Sequence, residues 1–157
     1  GIFVSFCAFL KKTEYGKKER LVQQGEIMDF SERFDLYKEG GMITDDDIED
    51  LNAVIDLFKN EYGVLLQEEN AATFIAHLCA AYGRLVSKEP VDELPEAVIE
   101  ELESLDTYEL SRQILEKVMN VTKNPLNETE QGYALLHINN LIAQFKESGE
   151  WHTVSEN

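Results

Sequence analysis

Apolar residues recur at every third or fourth position along most of this 157-residue chain, and that rhythm admits few folds other than helices packed on helices. From Met28 onward the pattern is almost unbroken. Phe30, Phe34 and Tyr37 share one stripe that ends at Gly40-Gly41. Thr44 reads as an N-cap, followed by Asp45, Asp46 and Asp47 where carboxylates favour the positive helix end. Ile48, Leu51, Ile55, Phe58 and Tyr62 then make one buried face, and Gly63 stops the helix. A second long helix is predicted over residues 69–86. Pro95 is placed to open a short one at its first turn, over about 95–104, burying Val98, Ile99 and Leu102. Thr107 reads as the cap of the next, with Leu110, Ile114, Leu115 and Val118 inward. After Asn124-Pro125, Asn127 caps a last helix to about Lys146, with Glu130 at the capping-box position. No segment alternates as strands bounded by hairpin turns do. The predicted fold is therefore all-α, a bundle of five helices, or of five plus an N-terminal helix.

Charge is the second constraint. The net charge is -17, unevenly distributed: residues 11–20 hold five bases against two acids, whereas residues 89–109 hold nine acids and no base. A surface of that sign repels phosphate backbones, which argues against direct nucleic-acid binding and favours docking to a basic protein partner. Cys7 and Cys79 are the only cysteines and form no local pairing pattern. A reducing cytoplasm is the expected compartment, with Cys79 as a small core hydrophobe. The apolar opening, Gly1 to Leu10, is too short to span a bilayer, which takes about 20 residues, and its bases follow the apolar run instead of preceding it. It reads as a strand or helix packed on the body, as a start-site artefact ahead of Met28, or as an interfacial anchor. The organisation expected is an extension over 1–41, a domain over 42–147 and a polar tail over 148–157.

Histidine is scarce, and two of the three histidines sit in matched settings. His77 lies in a helical apolar run with Arg84 seven residues downstream, and His137 lies in another with Glu130 seven residues upstream. The third, His152, falls in the polar tail. Imidazole titrates near neutral pH and can act as a nucleophile, so the pair raises three options: core polar groups, metal ligands, or acceptors of a phosphoryl group. Neither histidine has a carboxylate at ligand spacing on its helix, as the Glu-x-x-His pairs of di-iron bundles do. Asp45, Asp47 and Glu49 resemble the start of a calcium loop, but Asp50 stands where that loop needs Gly. No Gly-rich phosphate loop and no serine or cysteine nucleophile motif is present. Periodicity alone favours hydrogen-bonded core or interface histidines.

At these residues the chain resembles the PTS regulation domain (PRD) family, helical modules through which the bacterial phosphoenolpyruvate:sugar phosphotransferase system controls transcription regulators. The family's first signature is a histidine followed by Leu or Ile and, seven residues on, an Arg: here His77, Leu78 and Arg84. The second is an acidic residue after a polar loop, then an apolar helix reaching a Leu-His-Ile triplet. Here these are Glu130 and Leu136-His137-Ile138. The stretch from Val98 to Val118, with Tyr108 near the start of its second helix, has the family's two-helix spacing. The resemblance covers about residues 42–147. It implies a regulatory module, not an enzyme, with His77 and His137 as phosphoacceptors and Arg84 and Glu130 in support. It further implies no cofactor or metal, a homodimer, and phosphate supplied by the phosphocarrier protein HPr or a sugar-permease component. Ala76 stands where the family often has Asp. The alternative is a helical dimerisation or interaction protein with the same fold and no phosphate transfer. With no nucleic-acid-binding module visible before residue 42, the chain is expected to act as a stand-alone domain.

Overall fold

Side-chain capping sets the start of three of the helices in the computed structural model. The structure describes residues 29–151, which form six helices and no strand: α1 (Ser31–Glu39), α2 (Asp45–Tyr62), α3 (Glu68–Ser87), α4 (Glu96–Glu103), α5 (Tyr108–Val121) and α6 (Glu128–Ser148). The apolar opening, Cys7, the basic stretch 11–20 and His152 lie outside the described residues. Thr44 caps α2 reciprocally: its hydroxyl accepts the Asp47 amide, and the Asp47 carboxylate accepts the Thr44 amide at 2.9 Å. Gly63 ends α2 at φ 67°, a left-handed conformation that costs glycine little. Among the described residues no helix is long and apolar enough to cross a membrane.

The bundle is the five-plus-one form of the expected fold. The extra helix, α1, lies within the stretch read as an extension and brings Phe30, Phe34 and Tyr37 into the same core as Leu51, Phe58 and Ile75. It is tied there by a buried ion pair in which Arg33 Nε donates to both Glu68 oxygens at 2.7 and 2.9 Å, while the Arg33 guanidinium also donates to the Tyr37 hydroxyl. Cys79 is fully buried beside this network, and burial pushes its thiol upward, leaving an inert core group.

Two local expectations are corrected by packing. Pro95 stands one residue before α4 as its N-cap, and only Leu102 of that helix is buried; Val98 is half-buried and Ile99 exposed. An eight-residue helix has about two turns to present, and α4 lies over a surface cleft with little core beneath it. Thr107 precedes α5, but its hydroxyl accepts no amide from that helix. It donates instead to the Asn139 carboxamide of α6, which also accepts from Ser111 at 3.2 Å. Along α5, Ile114 and Val118 are buried as expected, with Leu110 and Leu115 only half-buried.

The entry to α6 is fixed from a distance. Asp50, buried on α2, accepts the main-chain amides of Lys123 and Asn124 at 2.8 and 3.0 Å, and the Asn124 side chain donates to Asp47 at 3.1 Å. Of the acids that resemble the start of a calcium loop, Asp47 and Glu49 thus join Asp50 in holding the α5–α6 turn, while Asp45 pairs with Lys38. Replacing Asp50 with Ala removes the acceptor of two part-buried main-chain amides and should cost about 1–3 kcal/mol in urea unfolding. Lys123→Ala removes only an exposed contact to Glu49 and should leave the unfolding midpoint unchanged.

Candidate functional site

The spacing of seven residues singled out in the sequence is the register of one helix–helix seam. Seven residues make about two helical turns, so positions seven apart lie on one face about 10.5 Å apart along the axis. Across the α3–α6 seam, Asn70 meets Gln144, His77 meets His137, and Arg84 meets Glu130. Numbers rise along one helix as they fall along the other, so α3 and α6 run antiparallel with a rung every seventh residue. The Gln144 amide donates to the Asn70 carbonyl at 3.0 Å. In the middle rung the two imidazoles stack, with ring centroids 4.5 Å apart and planes at 30°. Tyr133, one turn before His137 on α6, places its ring 6.3 Å from that of His77, and its hydroxyl donates to the Asp92 carbonyl at 2.7 Å.

The third rung is an ion pair with two parallel bonds. Arg84 Nε donates to one Glu130 oxygen at 2.6 Å and a terminal nitrogen donates to the other at 2.9 Å. The Glu130 side chain is 1% exposed and that of Arg84 11%, so the pair is withdrawn from water. The sequence puts Glu130 at the capping-box position, where its carboxylate would help close the helix start. Its carboxylate pairs with Arg84 instead, while its amide is held by the Asn127 side chain at 2.9 Å, completing only half of the capping box. Arg84 finds this partner within its own chain.

Electrostatics make both rings neutral at pH 7. Burial drives His77 well below the ordinary imidazole range, and the neighbouring His137 and Arg84 charges push the same way. The Glu130 main-chain carbonyl opposes them through a contact looser than a standard hydrogen bond. Burial lowers His137 to about 4. Two neutral rings can stack face to face; two imidazolium rings at this distance would repel. The deprotonated state that a nucleophilic histidine requires is present at both positions. The exposure it requires is not present at His77, which is 0% exposed, because the seam covers it; His137 is half-buried. The preceding residue, Ala76, is buried as well and fills a core position that a carboxylate could not occupy without a partner.

Tyr133 belongs to this neighbourhood and was not among the functional residues singled out from sequence, nor was Asn139, which turns towards Thr107 and Ser111 at the start of α5. Tyr133 was findable, because it lies four residues before His137 and so on the same helix face. The Asn139 group had no such signal, because its partners come from another helix.

The ion pair and the rings each carry a measurable consequence. Arg84→Ala leaves a buried carboxylate unpaired and should destabilise the fold by about 3–5 kcal/mol in chemical denaturation, whereas Arg84→Met combined with Glu130→Leu should recover most of that loss. For His137 the folded value of about 4 lies below the ordinary 6.5. Between those values the unfolded chain binds a proton that the folded state refuses, so stability is full above the window and falls as pH drops through it. In an NMR titration the His137 ring should protonate near pH 4, and His137→Gln should flatten the loss of stability between pH 7 and about 5.

A family model described as the PRD domain matches residues 52–141, more than half of the chain and both signature histidines. Comparison with curated proteins and with solved structures found no match. The matched region spans most of α2 to the middle of α6, and so contains all of the middle and last rungs of the seam. An all-helical bundle with the matched segment across its two histidine-bearing helices makes this chain a member of the PRD domain family, a family of regulatory domains of the phosphotransferase system.

Proposed function

We propose that this domain accepts a phosphoryl group on histidine from HPr or a sugar-permease component, and that the modified state controls a protein partner or a homodimer in carbohydrate-responsive regulation. The observation that carries this reading is the stacked pair of neutral imidazoles in one seam with a buried Arg–Glu clamp two turns away. His137 is the first acceptor, because it is the less buried member of the pair. Its ring nitrogen lone pair attacks the phosphorus of a donor phosphohistidine. The new N–P bond forms as the donor's N–P bond breaks, and the donor imidazole leaves with that electron pair. The product places roughly -1.5 to -2 charges at a ring that was neutral.

That charge reverses the local balance. A dianion stacked against His77 raises the proton affinity of the buried ring, so His77 can gain a proton and answer the phosphate as a donor. The same charge competes with Glu130 for Arg84, the one guanidinium in the seam. Drawing Arg84 away from Glu130 loosens the α3–α6 contact, which is a route from modification to a new surface or a new subunit arrangement. His77 becomes an acceptor only when the seam opens. The compartment is the cytoplasm, where the donor proteins work.

A second reading keeps the fold and drops the chemistry: a helical interaction or dimerisation module with His77 as a core residue. The complete burial of His77 and the alanine at position 76 favour it. Incubation with phosphoenolpyruvate and the general phosphotransferase components, followed by mapping of acid-labile phosphate, separates the two. Phosphate is expected on His137 and should be absent from His137→Ala. Absence of label from both His137 and His77 in the wild-type chain would sink the phosphoacceptor reading.

A further inference from the structure

The shortness of α4 leaves apolar surface uncovered, and that surface is ringed by acids. An open cleft of about 340 Å³ lies between the 93–94 segment, α4, the start of α5 and α6. Leu94, Ile99, Leu102 and Leu135 line it, and so do the carboxylate-bearing Glu93, Glu103 and Glu128. Ile99, on the apolar stripe of α4, is 41% exposed and faces this cleft. The chain around the cleft supplies no counter-charge, since residues 89–109 contain nine acids and no base. The nearest cation after that run, Arg112, is already paired with Glu109 at 3.2 Å.

We propose that this cleft is a docking site for a cationic, amphipathic segment of a partner protein, with leucine- or isoleucine-like side chains on the floor and Lys or Arg on the acidic rim. The chemistry selects that class. An anionic ligand is repelled by the rim, and a purely apolar one leaves the carboxylates without a role. A small molecule would find a wide, open floor with no set of buried polar groups converging to orient it. A second copy of the described surface brings the same negative field.

The cleft is separate from the histidine seam, although both use α6. Gly132 and Leu135 line the cleft, whereas Glu130 and His137 face α3. At about 100° per residue, Glu130 and Gly132 project about 200° apart around the helix. Docking therefore does not depend on phosphate transfer. Gly132 supplies a test position: a Cβ built there meets only the Leu94 Cδ1 at 3.4 Å, so a larger side chain can enter the cleft without displacing backbone. Replacing a mid-helix glycine also favours the helix.

The test is titration of the ¹⁵N-labelled full chain with a synthetic helix-length peptide of leucines and lysines in amphipathic order, beside a peptide in which every Lys is replaced by Glu. The Lys peptide is expected to shift the amides of Ile99, Leu102, Gly132 and Leu135, with affinity falling as salt rises. Gly132→Leu, which fills the floor, and the exposed pair Glu93→Lys/Glu103→Lys, which reverses the rim, should each weaken binding about ten-fold or more. His137→Ala should bind as the wild type does. Four results overturn the proposal: perturbations centred elsewhere, equal binding of the Glu peptide, undiminished binding by both variants, or occupation of the cleft by the chain's own residues 11–20.

Discussion

The Arg84–Glu130 pair is the contact on which the arrangement of the domain turns. A carboxylate at 1% exposure survives inside a protein only if its charge is met and its lone pairs are filled, and one guanidinium does both through two bonds. The pair locks the C-terminal part of α3 to the first turn of α6. Once that rung is set, two turns along each helix bring His77 onto His137, and two more bring Asn70 to Gln144. Slippage by one residue would strand both charges in the core, so the pair selects the register as well as holding it.

Acidity has two separate fates in this chain. Where carboxylates are buried, each is given a specific donor: Asp47 takes the Thr44 amide and the Asn124 side chain, Asp50 takes two loop amides, Glu68 takes Arg33, and Glu130 takes Arg84. Where they are exposed, most have no base nearby, above all around α4, and the result is a negative field over a partly apolar surface. The first group organises the bundle. The second leaves one side of α6 facing a cleft while the other side faces the histidines, so a single helix carries two chemically different surfaces.

Features decided within one helical turn were legible in the sequence. Thr44 and Asp47 cap each other, Gly63 turns left-handed, and Asn127 holds the Glu130 amide, because each partner lies within four residues. The same locality explains why Phe34, Tyr37, Leu51 and Phe58 were recognisable as core. Thr107 shows the limit: it has the side chain of a cap, but Asn139 offers its hydroxyl a partner on another helix, and the longer-range bond prevails. Ile99 shows it again, since a stripe at helical spacing identifies the apolar face without saying whether anything covers it.

For the candidate site the division is equally physical. The sequence by itself determined that His77, Arg84, Glu130 and His137 lie on helical faces at two-turn spacing, because periodicity is a property of the backbone. It also determined, through charge, what the surface repels. Only the tertiary structure decided that the two spacings are the two sides of one antiparallel seam, that Arg84 meets Glu130 within the chain, and that His77 is sealed while His137 is half open. Burial and pairing depend on which helix lies opposite, and that follows from the balance of the whole core, not from any local run of residues.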